Sequence, residues 1–186
     1  LQSITIPTNV TSIGDSVFYQ CYKLQSINVE STNLQFASID GILFTKDLAT
    51  IIRFPSNHRF STYNIPTSVT SIGNSAFFGC KDLQSITIPS SVTSIGKSAF
   101  SWCENLQSIT IPISVTSIGK FAFSYCFTLQ SITIPINVTS IGDSPFYQCV
   151  NLQSISIEST NLHFTSIDGI LFTKDLTTII CFPSNH

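Results

Sequence analysis

Methionine is absent from the 186-residue chain, tryptophan occurs once, and charged residues make up only 10% of it. The eight Lys and Arg stand singly and the formal net charge is −2. A nucleic-acid-binding face would show clustered basic residues, so no nucleic-acid partner is expected. Long apolar runs are missing too. Mean hydropathy is +0.31, yet purely aliphatic or aromatic runs stop at three or four residues, as in Ile42-Leu43-Phe44. A membrane-spanning helix needs roughly 20 predominantly apolar residues, so we expect no span and assign the apolar side chains to an interior. Paired Cys-x-x-Cys spacing, the usual mark of a structural zinc site, does not occur among the six cysteines. Neither a metal nor any other cofactor is expected.

What the chain does have is repetition. Leu1-Gln-Ser-Ile-Thr-Ile-Pro7 returns in phrases beginning at Leu83, Leu106 and Leu129, which follow one another at 23 residues. The copies at Leu24 and Leu152 end in Glu30 and Glu158 instead of Pro, and residues 60–66 keep the frame with substitutions. A period of 20 to 29 with Leu and Ile at fixed offsets marks a leucine-rich repeat. In each phrase Ile4 and Ile6 point one way and Ser3 and Thr5 the other, because strand side chains alternate. The segment that follows places Val92, Ile95, Ala99, Phe100 and Cys103 three to four apart, a spacing that suggests one or two helical turns. Gly96 is read as permitting a bend, and Pro145 after Asp143-Ser144 as a helix start.

One such unit buries too few apolar side chains to offset the ordering of its own residues, so it must share its faces with neighbours. The expected fold is therefore an α/β-type leucine-rich-repeat solenoid, with a parallel β-sheet on one face and short helical turns on the other. Nine strand-like phrases, at about 4.8 Å per strand, imply a sheet roughly 40 Å long. Stacked cysteines at one repeat position (Cys21, Cys80, Cys103, Cys126 and Cys149) have parallel Cβ directions about 4.8 Å or more apart. Disulfides want Cβ atoms nearer 3.8 Å, so these read as a ladder of buried thiols. Cys181 replaces Arg53 on what reads as a polar strand face, where it would be exposed.

A second level of order lies above the repeat. Residues 1–58 return as 129–186 with ten differences, Val17 to Pro145, Gln35 to His163 and Arg53 to Cys181 among them. Within each block one stretch, 31–58 and 159–186, breaks the 23-residue rule. There Gly-Ile-Leu-Phe and Thr-Ile-Ile-Arg-Phe flank Thr-Lys-Asp-Leu, which reads as a β-hairpin insertion with its turn near Lys46-Asp47 and a returning strand that serves as a rung. We read 1–186 as one solenoid domain, a section of a longer array, since it opens at Leu1 in mid-phrase.

The phrase Ser68 to Pro89 and the Ser-Ile-Asp-Gly-Ile-Leu-Phe-Thr-Lys-Asp insertion resemble BspA-like leucine-rich-repeat proteins of host-associated bacteria and protists. The resemblance covers essentially the whole chain. It implies a curved solenoid, an extracellular or cell-surface location, and adhesion to host proteins, matrix or other microbes. No catalytic residues carry over with it. An enzyme would need a nucleophile, base and acid held together, and the abundant Ser with only His58, His163 and His186, and with Asp40 and Asp168 in equivalent insertions, singles out no such set. The alternative to a binding module is a structural spacer or self-associating stalk.

Candidate contact residues follow from the pattern. The concave face should present Ser85, Thr87, Ser108, Thr110, Ser131 and Thr133, short hydroxyls suited to a glycan or an extended protein of unknown identity. Trp102 and Tyr125 occupy one position in adjacent repeats where sisters carry Gln20, Gly79 and Gln148, and Phe121 and Phe127 stand close by. These four are either a contact patch, homodimer formation included, or covers for neighbouring turns. Asn9-Val10-Thr11 and Asn137-Val138-Thr139 are either glycosylation acceptors or polar alternatives to Ser68, Ser91 and Ser114 in sister repeats.

Overall fold

The Ser-Ile dipeptide before Gly73, Gly96, Gly119 and Gly142 is a strand in the computed structural model, which describes residues 1–14 and 17–183. Ser71–Ile72, Ser94–Ile95, Ser117–Ile118 and Ser140–Ile141 pair in parallel, Ser against Ser and Ile against Ile. Thr50–Arg53 joins Ser71–Ile72 in parallel, and Ile42–Thr45 and Phe36–Ile39 extend the ladder antiparallel, giving seven strands in one sheet. The Leu-Gln-Ser phrases carry parallel strands on a second face, but only in pairs: Ser3–Ile6 with Ser26–Val29, Thr62–Asn64 with Ser85–Thr87, and Ser131–Ile134 with Ser154–Ile157. Residues 106–112 fill the same place without strand pairing. There Gln107 N lies 3.4 Å from Gln84 O, where the equivalent bond from Gln84 to Ser61 O is 2.7 Å. The solenoid expected from the repeats is thus present, with its long sheet on the Ser-Ile face instead of the Leu-Gln-Ser face.

The helical turns do not form; no helix occurs among the described residues. An α-helix would commit its N–H groups to its own carbonyls, whereas here they alternate between the same rung and the next. Ala99, Ser101 and Cys103 donate back to Gly96, Ser98 and Phe100, while Ser98, Phe100 and Trp102 donate across to Lys120, Ala122 and Ser124. The chain achieves this by placing Ser98 and Trp102 at φ of 53° and 63°. The apolar spacing of three to four is therefore a succession of tight turns. Pro145 fits for a different reason from a helix start: its sisters Ala99 and Ala122 use their N–H only in weak turn bonds of 3.3 and 3.2 Å, so little is lost without one.

Close rung approach requires glycine. A Cβ at Gly96 or Gly119 would lie 2.7 or 2.5 Å from backbone atoms of the preceding rung, so these glycines serve contact and not a bend. Phe54, Phe77, Phe100, Phe123 and Phe146 form a buried column with successive ring centroids 5.0 to 5.6 Å apart. Beside it the thiols of Cys103, Cys126 and Cys149 donate to Phe77, Phe100 and Phe123 carbonyls of the rung before, at 3.0 to 3.2 Å. All six cysteines are free. Burial pushes the Cys80 thiol up to about 12 and also raises that of Cys103 well above the ordinary thiol value.

The insertions contain a hairpin at Asp40-Gly41 whose two turn residues have φ of 52° and 77°, the geometry that Asp-Gly favours in two-residue loops. Buried Asn33 then pins the insertion to the first rung: its Nδ2 donates to Pro7 and Val10 carbonyls and its Oδ1 accepts from Gln35 and Phe36 N–H. Asn161 repeats the arrangement in the second block. Arg53 is buried, 3% exposed, and not on a polar face. Cys181 at its position is half-buried, and burial raises its thiol to about 11. Replacing Phe100 with Ala in the ring column should cost about 3–5 kcal/mol in urea unfolding. Phe121→Ala, on the half-exposed outer position, should cost far less.

Candidate interaction surface

Strand alternation sends Ile86, Ile109 and Ile132 inward and leaves Ser85, Thr87, Ser108, Thr110, Ser131 and Thr133 exposed. No side chain among the described residues hydrogen-bonds to these six hydroxyls. The Ser-Ile face differs in kind. Ser71 and Ser94 hydroxyls bond at 2.9 Å, and Thr93, Thr116 and Thr139 each donate to a threonine carbonyl one rung back at 3.2 to 3.3 Å. On the Leu-Gln-Ser face Ser26 Oγ donates to Ser3 Oγ at 2.8 Å, while the six hydroxyls from Ser85 to Thr133 stay available. At the edge of the open face Glu30 Oε2 accepts from Thr8 Oγ1 and Thr8 N, both at 2.7 Å, and Glu158 does the same for Ile136 N at 2.9 Å. The Thr8 hydroxyl, then its N–H, hold the Glu30 carboxyl below the usual carboxylate range. Glu replaces Pro here because it ties two rungs together.

Trp102, Tyr125 and Phe127 do come together. The Trp102 and Tyr125 rings stack at 4.1 Å between centroids, and Phe127 meets both edge-on at 6.1 and 6.2 Å. Phe121 reaches them through Tyr147, which lies 6.4 Å from Phe121 and 5.5 Å from Tyr125. Tyr147 is 49% exposed and does not stand out in the sequence as a deviation, because Tyr19 repeats it in the first block. Lys81 Nζ stands 5.8 Å from the Trp102 ring and 5.7 Å from that of Tyr22, and pairs with Glu104. All four residues singled out from the sequence are half-buried.

Three of them occupy left-handed backbone: Trp102 at φ 63°, Phe121 at 56° and Tyr125 at 60°. The sisters of Trp102 and Tyr125, at φ 59° to 71°, are Gln20, Gly79 and Gln148, and those of Phe121, at φ 50° to 54°, are Ser75, Ser98 and Ser144. A bulky residue there is an outlier costing about 1–2 kcal/mol, so the scaffold gains nothing in its backbone from these rings. Asn9 and Asn137 are both exposed, and Asn137 Nδ2 donates to Ile113 O at 2.9 Å, as Ser114 Oγ does to Val92 O. His58 is built into the core; its Nδ1 accepts from Phe60 N, so Nε2 donates to Asp40 O at 2.8 Å. His163 is exposed on the surface and His186 lies outside the described residues. No group of three His, Cys, Asp or Glu is placed to hold a metal among the described residues, and no helix there is long and apolar enough to cross a membrane.

The BspA type leucine rich repeat region matches residues 1–60 and 53–179, in six copies. The chain belongs to the BspA-type leucine-rich-repeat family. Solved structures share the fold. A leucine-rich repeat protein from Eubacterium ventriosum is 27% identical with a TM-score of 0.74, over 99% of this chain and 55% of that one. A leucine rich cell surface protein from Faecalibacterium prausnitzii is 32% identical with a TM-score of 0.67, over 86% of this chain and 48% of its own. The pneumococcal vaccine antigen PcpA is 25% identical with a TM-score of 0.69, over 100% of this chain and 49% of its own. The chain thus spans about half the length of these relatives. No curated protein sequence matches it. Since BspA-type sister repeats carry Gln at the Trp102 position, the double variant W102Q/Y125Q should fold with a melting temperature within about 5 °C of the parent by calorimetry.

Proposed function

We propose that this chain is a binding module of a secreted or cell-surface BspA-type protein, presenting its repeat surface to a host or microbial protein or glycan. The carrying observation is the aromatic shelf of Trp102, Tyr125, Phe127 and Tyr147, partly exposed rings of which Trp102 and Tyr125 stand at left-handed positions that sister repeats fill with Gln20, Gly79 and Gln148. Interface energy concentrates in such aromatic anchors. The hydroxyls of Ser85, Thr87, Ser108, Thr110, Ser131 and Thr133 offer hydrogen bonds along a partner but no anchor of their own. That a similar structure is described as a cell surface protein supports the location. Asn9 and Asn137 are exposed acceptors for glycosylation in a eukaryotic secretory route. No catalytic role is assigned.

A second reading is a spacer or self-associating stalk, favoured by apolar exposure at one place in both insertions: Leu34 and Leu162 are each 79% exposed. Pull-down from a cell-surface extract separates the two. A binding module should retain a partner that W102Q/Y125Q loses. A spacer should retain nothing, while light scattering shows dimers that the double variant leaves unchanged.

A further inference from the structure

Two neighbouring rungs lack a ring that their sisters carry. Tyr19, Phe78 and Tyr147 occupy one repeat position, directly before Gln20, Gly79 and Gln148. In the two rungs between Phe78 and Tyr147 that position holds Ser101 and Ser124. A cavity of about 240 Å³ stands where the rings are missing, lined by Ser98, Ser101, Phe121, Ser124, Tyr125 and Tyr147. A cavity of roughly 150 Å³ already accommodates benzene.

Three of its walls are aromatic. Phe121 and Tyr125 stand on either side of Ser124 in the same rung. Tyr147 closes the end one rung on, its ring 6.4 Å from that of Phe121 at 67° and 5.5 Å from that of Tyr125 at 84°. The floor is polar. Ser124 Oγ has acceptors in Phe121 O at 3.1 Å and Ser144 O at 3.3 Å. Ser101 is only 4% exposed, yet its hydroxyl, which lines the cavity, has no hydrogen-bond partner among the described residues. Buried hydroxyls normally have one.

We propose that this cavity binds a phenol ring, the group that a tyrosine side chain presents, with the ring over Ser124 and its hydroxyl on Ser101 Oγ. The inference rests on the reading of the chain as a binding module and names what its aromatic surface receives. A ring over Ser124 lies one rung, about 4.8 Å, from Tyr147, within the roughly 4.5–7 Å at which aromatic centroids pair. Ser101 is one rung away on the other side, within reach of the ring's hydroxyl. Other occupants fit less well. A pyranose would set several hydroxyls against three aromatic walls. A quaternary ammonium would meet a cation already in place, Lys120 Nζ at 5.1 Å from the Phe121 ring, and no carboxylate lines the cavity among the described residues.

NMR titration of the intact chain with p-cresol, toluene and methyl glucopyranoside, followed at the Ser101 and Ser124 amides, tests this. The phenol should bind saturably at one per chain, toluene at least threefold more weakly and the glucoside at least tenfold more weakly. N-acetyltyrosinamide binding as well as p-cresol identifies the ring as a side chain; binding of p-cresol alone identifies it as a free phenol. Ser124→Tyr supplies the ring that Tyr147 carries in the sister rung and should abolish p-cresol binding, with a melting temperature within about 5 °C of the parent. If that variant does not fold, Ser101→Ala carries the test, bringing p-cresol down to the level of toluene. Absence of p-cresol binding, equal binding of toluene or of the glucoside, full p-cresol affinity in Ser124→Tyr, or unchanged affinity in Ser101→Ala would each overturn the assignment. Such a failure leaves the binding-module reading standing, since the pull-down with W102Q/Y125Q tests that separately.

Discussion

Backbone-to-backbone contact between successive rungs is the constraint on which everything else in this molecule depends. It is set where Gly96 and Gly119 let one Ser-Ile-Gly segment lie against the next with no room for a Cβ. At that spacing Phe77, Phe100 and Phe123 rings stack at 5.0 and 5.4 Å, and turn amides reach carbonyls of the adjacent rung. The thiols likewise find acceptors one rung back. No rung owns its interior. Each supplies half of two interfaces, the condition under which stability becomes a sum over nearest neighbours.

The same economy decides where specificity can reside. Chemistry present at every rung is scaffold: the Ser-Ile face spends its hydroxyls on the ladder, and the columns from Leu24 to Leu152, Val69 to Val138 and Phe54 to Phe146 are interior. What differs from rung to rung is free to do something else. Trp102, Phe121 and Tyr125 accept a left-handed backbone that Gly79 adopts without strain. Glu30 and Glu158 replace Pro to tie rungs together, and Arg53 replaces a turn's backbone donors by bonding to Ser75 and Phe78 carbonyls.

The repeat, its period, the stacked solenoid and the free buried thiols were legible because 23-residue spacing and strand alternation act locally and recur. The helical turns were misread for a physical reason. Tight turns that alternate inward and across produce the same three-to-four apolar spacing as a helix, and only the inter-rung bonds of Ser98 and Phe100 distinguish them. The glycine was legible as a glycine but not as a contact, since contact involves a residue 23 positions away. Asp40-Gly41 did carry a hairpin signal, overshadowed by the Lys46-Asp47 turn beside it. Asn33, Asn161 and the burial of Arg53 had no local signal, because their partners come from other rungs. Of the aromatic shelf, the sequence showed the deviant rings and missed Tyr147, whose repetition disguised it.

Shared rung contact is tested most directly by Gly119→Ala, followed by amide hydrogen exchange across the chain. Gly119 N donates to Ile95 O and Gly142 N to Ile118 O, both at 2.8 Å. If the rungs hold one another, the added methyl group should lower the melting temperature by roughly 5 °C or more and strip protection from Gly119 and Gly142 amides together, with loss spreading to rungs on both sides. An unchanged melting temperature, or exchange confined to residue 119 alone, would contradict it.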